Sequence, residues 1–135
     1  MSVIVTDSGF AADDLGPFAL FEDIQPDTQR LAIGNDIDPL VVAKRFGALE
    51  AISIEFPSFA DGRGFSLARQ IRQLGFTGRL RAIGHLISDQ YYHARRAGFD
   101  EIEISDEMAK RQPEDNWKAE GDWNSDTYQD RLNVE

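Results

Sequence analysis

The densest group of residues that could do chemistry lies in one loop, between Glu55 and Ser66. The loop reads Glu-Phe-Pro-Ser-Phe-Ala-Asp-Gly-Arg-Gly-Phe-Ser, and its glycines, Gly62 and Gly64, let the backbone turn sharply and approach a ligand closely. Backbone amides at the start of a helix, together with the Arg63 guanidinium, suit a small anion such as sulfite, phosphate or a carboxylate. The loop therefore predicts an anion-binding or partner-docking site.

The same loop also allows a purely structural interpretation. Asp61 and Ser66 would cap turns, and the glycines would serve backbone geometry alone. Arg63 would then pair with Asp61 or with Glu55. The loop matches neither a phosphate-binding loop nor a dinucleotide fingerprint, because Leu67 stands where a third glycine would be needed. Both interpretations stay open at the level of sequence.

A second group of polar residues follows a later predicted strand. His85 comes directly after Gly84 and could act as a general base or a ligand, although the position is better explained by a surface histidine. Asp89 and Gln90 lie at the start of the next predicted helix. The only other histidine is His93, and the spacing fits no metal-binding motif, so no metal site is predicted.

Carboxylates suggest a different kind of chemistry. Glu55 ends one predicted strand and Asp36 follows another, so the two could face one crevice as an acid and a base or as magnesium ligands. Asp61, Arg63 and Glu55 are accordingly the candidate catalytic residues. The candidate ligand-binding residues lie in the loop, on the helix after it and after the later strand: Asp61, Gly62, Arg63, Gly64, Ser66, Arg69, Gly84, His85, Asp89 and Gln90.

The elements that must position these residues form a repeated β-α pattern. Strands are predicted for apolar, β-branched segments at residues 30–34, 51–56, 79–84 and 99–104. Helices are predicted for the amphipathic segments between them, at residues 39–49, 65–74 and 88–97. This alternation predicts an α/β fold with a parallel sheet of about four strands, either an open Rossmann-like sheet or half of a barrel. In both, ligands bind beyond the carboxyl ends of the strands.

The chain is predicted to be one α/β domain with three parts. These are a weaker N-terminal edge segment, a βα core and an acidic C-terminal segment, at residues 1–29, 30–104 and 105–135. Val3–Val5 and Phe18–Phe21 are predicted as edge strands of the first part. The rings of Trp117, Trp123 and Tyr128 predict that the last part packs back on the domain.

Composition narrows the function classes. The net charge of −10 repels phosphate backbones, so nucleic-acid binding is not expected. The 135 residues contain no cysteine, which excludes disulfides, thiolate nucleophiles and protein-ligated iron–sulfur clusters, and no bound cofactor is expected. The N-terminus lacks a basic, apolar leader and no stretch is long enough to span a membrane, so a cytoplasmic protein without a membrane partner is expected.

One stretch resembles a known family. Between Ile54 and Ile104, the Phe-Ala-Asp-Gly-Arg-Gly-Phe-Ser-Leu-Ala-Arg phrase and the later Leu-Arg-Ala-Ile-Gly and Gly-Phe-Asp phrases resemble the bacterial domain-of-unknown-function family 934. The positions that match the family motif are Phe56, Pro57, Asp61, Gly62, Arg63, Gly64, Ser66, Arg69, Arg81, Gly84, Asp89 and Gln90. The chain departs from the pattern at Ala97, where many members have cysteine, and at His85, where an acidic residue is usual.

The resemblance implies a function through gene neighbourhood. Members are commonly encoded beside the sulfite reductase haemoprotein, so the resemblance implies an accessory, oxidoreductase-associated protein of assimilatory sulfite and sulfate reduction with that haemoprotein as partner. Two alternatives remain: a small enzyme acting on an acidic metabolite, and a non-catalytic interaction module. An open cleft lined by Arg63, Arg69 and Gln90 would favour ligand chemistry, whereas a loop buried against neighbouring loops would favour the interaction module.

Overall fold

A computed structural model describes residues 2–119, and within this part of the chain seven strands form one sheet. The strands are β1 (Ser2–Thr6), β2 (Gly9–Ala11), β3 (Ala19–Leu20), β4 (Arg30–Ile33), β5 (Ala51–Phe56), β6 (Arg79–Gly84) and β7 (Glu101–Ser105). Their order is β2-β1-β7-β6-β5-β4-β3; β3 to β7 are parallel, and β1 is antiparallel to both neighbours. The predicted α/β class is confirmed, whereas the count of about four strands is too low.

The four predicted core strands are all present, and the additional strands lie on both sides of them. β1 contains the predicted segment Val3–Val5, but it is not an edge strand because it pairs with both β7 and β2. β3 forms the other edge of the sheet. The apolar alternation of β1 resembles that of an exposed edge, and sequence gives no sign that the short β2 covers it.

Five α-helices are described within residues 2–119: α1 (Pro39–Ala43), α2 (Arg63–Gln73), α3 (Tyr91–Ala97), α4 (Asp106–Arg111) and α5 (Glu114–Ala119). Single 3-10 turns lie at Phe21–Asp23, Phe46–Ala48 and Ser88–Gln90.

Several predicted element boundaries differ from the structure, and three of the differences have a local cause. The helix predicted over 39–49 divides into α1 and a 3-10 turn, because two consecutive valines and Gly47 support a continuous helix poorly. The helix predicted over 88–97 likewise divides into a 3-10 turn and α3. The strand predicted from Phe99 begins at Glu101, since the Phe99 amide instead donates to the Ala94 carbonyl at the end of α3.

The apolar core lies on one face of the sheet. Alternate β5 residues Ile52, Ile54 and Phe56 are fully buried there, and all five helices contribute side chains to the same core or pack against it. Trp117 of α5 is fully buried against Tyr91, as expected for a C-terminal segment that packs back. Trp123 and Tyr128 lie outside the described residues.

The opposite face of the sheet carries polar and small side chains and no helix of the described chain. Ser53 of β5 pairs in register with Ala32 of β4 and Arg81 of β6, and the next row joins Glu55 to Ile83 and Glu103. In place of helices, the segment 13–22 lies against part of this face. The two faces therefore offer different environments: a closed core and a partly open polar surface.

Candidate functional site

Asp61 and Arg63 form a tight ion pair in the loop between β5 and α2. The Arg63 guanidinium donates from Nη2 to Asp61 Oδ2 at 2.7 Å and from Nε to Oδ1 at 3.0 Å. The Arg63 backbone amide also donates to Asp61 Oδ1, at 3.1 Å, which allows α2 to begin at Arg63, two residues before the predicted start. Asn35, after β4, donates from Nδ2 to Asp61 Oδ2 at 3.0 Å. The Asp61 carboxylate thus ties two strand ends together.

The electrostatics of this pair fix both charges. The hydrogen bonds from the Arg63 side chain and backbone, with that from Asn35, hold the pKa of Asp61 well below its usual range. The bond to Asp61 raises the pKa of Arg63 in turn. The Arg63 side chain remains 64% exposed, whereas that of Asp61 is 19% exposed. Asp61 is consequently an ionised hydrogen-bond acceptor at every physiological pH, and it has no proton to give.

The glycines of the loop have different roles. A Cβ at Gly64 would overlap the Phe56 ring, so this glycine lets α2 lie directly on β5. Gly62 has no such contact, since the nearest atom to a built Cβ is 4.0 Å away on Phe65. Gly84, at the end of β6, has a φ of +125°, a conformation that favours glycine, and a side chain there would meet the Phe56 carbonyl.

Gln90 joins this loop to the next one. Its Nε2 donates to the Phe59 carbonyl at 2.6 Å, and its Oε1 accepts from the Ile87 amide at 3.0 Å. The His85 amide adds a bond to the Phe56 carbonyl at 3.0 Å. Loops after β4, β5 and β6 are therefore linked by hydrogen bonds at the carboxyl end of the sheet, where the sequence placed the site.

The remaining predicted ligand-binding residues are not gathered into a cleft. Ser66 and Arg69 are exposed on α2, and His85 and Asp89 are exposed after β6. Within residues 2–119 none of these four side chains forms a hydrogen bond or ion pair with Asp61 or Arg63. Arg63 and Gln90 are each bound to neighbouring loop atoms, as the structural interpretation of the loop expects.

Glu55 lies on a different surface from the other two candidate catalytic residues. Since side chains alternate along β5, Glu55 faces away from the core and lines a cavity of about 630 Å³ on the helix-free face. Neither Asp61 nor Arg63 lines that cavity. The other carboxylate singled out in the sequence, Asp36, lies close enough to raise the pKa of Arg63. The structure thus separates Glu55 from the ion pair.

Sequence reasoning missed the residues that surround Glu55. Ser53, Ile83 and Glu103 lie in the cavity floor, and the segment 13–22 forms its wall. A signal was available in β5, where small or polar residues alternate with Ile52, Ile54 and Phe56. This period-two pattern indicates a strand with one face free of helices, whereas a strand buried between two helical layers is apolar throughout.

Arg81, which belongs to the family motif, holds the wall of the cavity to the sheet. It is 1% exposed, and its guanidinium donates from Nε to Glu101 at 2.5 Å and from Nη1 to Glu103 at 3.0 Å. Its Nη2 reaches Asp13 of the wall at 3.2 Å, and the Phe18 ring lies over it at 5.3 Å. This motif position is therefore occupied by a structural arginine.

Residues 2–119 contain no cluster of three or more histidine or acidic side chains arranged to hold a metal ion. None of the helices in this part of the chain has the length and apolar character that crossing a membrane requires.

Fold and site together define a mixed α/β domain with helices on one face of a mostly parallel sheet and interlinked polar loops at its carboxyl end. The chain belongs to the family described as bacterial protein of unknown function (DUF934), whose family model matches residues 30–135. The resemblance drawn from the loop is thereby confirmed. The match begins at the first residue of β4, after β1 to β3 and the cavity wall. No curated protein and no solved structure matches the chain.

Proposed function

We propose that this protein is a non-catalytic accessory protein of assimilatory sulfite reduction, which docks on the sulfite reductase haemoprotein through residues 57–66. The observation that carries the proposal is that the side chains of Ser58, Asp61 and Arg63 are hydrogen-bonded within the chain, while Phe59 and Arg63 stay exposed. Their exposed fractions are 58% for Phe59 and 64% for the Arg63 side chain. An exposed aromatic beside an arginine is the composition that dominates binding energy at protein interfaces.

The loop is well suited to docking because it is held before any partner arrives. Gln90 binds the Phe59 carbonyl, Asn35 binds Asp61, and the Asp61 amide donates to the Ser58 carbonyl at 3.1 Å. A surface that is already ordered loses less conformational entropy on association, which favours affinity. Phe59 has no part in anchoring the loop through its side chain, whereas the Arg63 side chain both pairs with Asp61 and stays exposed to a partner.

The same geometry gives less support to the two ligand-based alternatives. An enzyme built on Asp61, Arg63 and Glu55 would need these groups at one reacting centre, and Glu55 lines a separate cavity. An anion at the loop would have to compete with Asp61, which already engages Arg63 through two guanidinium nitrogens. Docking requires neither proton transfer nor exchange of that ion pair.

The link to sulfite reduction rests on the family to which the chain belongs and on the gene neighbourhood that the family resemblance implies. In this proposal the protein works in the cytoplasm, beside an oxidoreductase whose own cofactors carry the electrons. This division of labour agrees with a chain that has no cysteine to ligate a cluster.

A deletion strain tests this proposal. Without the gene, the host is expected to grow on cysteine or sulfide and to fail on sulfate or sulfite as sole sulfur source. The wild-type gene should restore growth, and the Phe59→Ala, Arg63→Ala double variant should not. A matched control is the Leu40→Ala, Lys44→Ala double variant, which removes an exposed apolar side chain and an exposed cation around α1. Normal growth of the deletion strain on sulfite would contradict the proposal.

A further inference from the structure

The cavity on the helix-free face shares no lining residue with the docking loop, and it has its own chemistry. We propose that it is a binding site for a small organic cation, an amine or guanidine attached to an apolar body. Its volume of about 630 Å³ falls in the range of small-molecule sites, which run from about 300 to about 1,000 Å³. The site stands independently of any role in sulfite reduction.

The floor of the cavity is a depression in the sheet. Ala32 and Ser53 are paired neighbours on β4 and β5, and their small side chains leave space that larger residues would fill. Glu55, Ile83 and Glu103 form the next row across three strands. Because strands are rigid elements, the row fixes two carboxylates on either side of an apolar side chain.

Ser53 offers an unused hydrogen-bonding group at this floor. The residue is only 4% exposed and lines the cavity, yet within residues 2–119 its hydroxyl has no hydrogen-bond partner. Since no buried side-chain polar atom within residues 2–119 lacks a hydrogen-bond partner, the Ser53 hydroxyl is accessible from the cavity and is not sealed in the core. A ligand in the cavity would supply the missing partner.

The negative charge of the lining favours a positively charged ligand. Of the side chains in residues 2–119, four carboxylates and no basic group line the cavity; the carboxylates belong to Asp13, Glu22, Glu55 and Glu103. Arg81, which pairs in register with Ser53 on the same face of the sheet, forms ion pairs with Asp13 and Glu103. Glu22 and Glu55 form no ion pair within the described chain. Uncompensated carboxylates beside low-dielectric walls attract cations and repel anions, sulfite included.

The wall provides the apolar part of the site. Phe18, Leu20 and Phe21 line the cavity beside the carboxylates. Aromatic faces attract an ammonium or guanidinium group in addition to packing against an apolar body. A cation that carried no apolar part would leave this wall in contact with water, so the site favours an organic cation.

Matched probes of the three charge types test the proposal. Tryptamine, tryptophol and indole-3-propionate share one indole body and differ mainly in being cationic, neutral and anionic. With the full-length protein, tryptamine at about 5 mM, a concentration suited to ligands of this size, should shift the backbone amide NMR signals of Ala32, Ser53 and Glu55. Tryptophol should shift them less, and indole-3-propionate should leave them unchanged.

Substitutions inside and outside the cavity test whether tryptamine binds there. Glu55→Gln should weaken tryptamine binding about tenfold, the effect of losing one charge-assisted contact. Ser53→Leu should abolish binding by filling the floor. Glu107→Gln, the same chemical change at an exposed position of α4 outside the lining, should have no effect. The proposal would be overturned if tryptamine caused no shifts, if all three probes caused equal shifts, or if both cavity variants bound tryptamine like the wild type. These results do not depend on the growth of the deletion strain.

Discussion

Nε of Arg81 lies 2.5 Å from Oε2 of Glu101, and the two side chains are 1% and 7% exposed. The pair sits on the helix-free face of the sheet, in adjacent parallel strands whose register places Arg81 opposite Glu101. The same guanidinium also reaches Glu103 and Asp13. One buried cation therefore forms ion pairs with three carboxylates and fastens the segment around Asp13 to the sheet.

Removing this cation should destabilise the fold strongly. Arg81→Met keeps most of the side-chain volume but leaves Glu101 buried without its closest partner, so we expect the free energy of unfolding to fall by about 3–5 kcal/mol. Urea unfolding measures the change. Arg69→Met, an identical substitution at an exposed position, should alter it by less than about 0.5 kcal/mol. Equal effects at the two positions would show that the buried network contributes nothing.

Gly64 should be required for the contact between α2 and β5. Gly64→Ala places a methyl group on the Phe56 ring, and relief of the overlap should cost about 1–3 kcal/mol of unfolding free energy. Gly47→Ala is the matched control, because a Cβ there meets no atom within 4 Å. Thermal or urea unfolding of both variants decides the matter, and a Gly64→Ala protein as stable as the control would be evidence against the packing described.

Some elements and contacts of this fold can be predicted from the sequence, and others cannot. The strands 51–56 and 79–84 were predictable to the residue, since apolar β-branched runs bounded by turn residues specify both the element and its ends. The ion pair of Asp61 and Arg63 was also within reach, because the two residues are close in sequence. Gly64 was recognised as a backbone device, but its partner Phe56 could be identified only once α2 was placed on β5.

The residues that line the cavity cannot be grouped together from the sequence. Its lining combines β5 and β7 with the segment 13–22, groups far apart in the chain that meet only through the strand order. The pattern along β5 indicated a helix-free face, yet nothing local indicates that an N-terminal segment folds over it. Glu55 could therefore be singled out as a strand-end carboxylate while its true neighbours stayed hidden.

Acid should weaken the contribution of Asp61. Its pKa in the folded protein lies below the ordinary value of 3.8, so its contribution to stability is fully present above that value and is lost as the pH falls through the folded pKa. The stability difference between wild type and Asp61→Asn should therefore shrink as the pH is lowered from about 6 to about 2. Urea unfolding across this range measures it. A difference that grows on acidification would have the wrong sign for the ion pair described.

Anions should bind the loop weakly. Because Asp61 already occupies two nitrogens of Arg63, calorimetric titration with sulfite or phosphate should give dissociation constants above about 1 mM. Asp61→Asn releases the guanidinium and should tighten anion binding, whereas Arg63→Ala should not. Micromolar sulfite binding by the wild type that disappears in Arg63→Ala would instead establish the loop as an anion site.

The docking proposal requires that Phe59 and Arg63 contact the sulfite reductase haemoprotein. The direct measurement is a calorimetric titration of the purified haemoprotein with wild-type protein and with three single variants. Binding by the wild type should weaken at least about fivefold in Phe59→Ala and in Arg63→Ala, as expected for residues that dominate an interface. Leu40→Ala, at an exposed apolar residue of α1, should bind like the wild type. No detectable binding by the wild type, or equal affinity for all four proteins, would contradict the account.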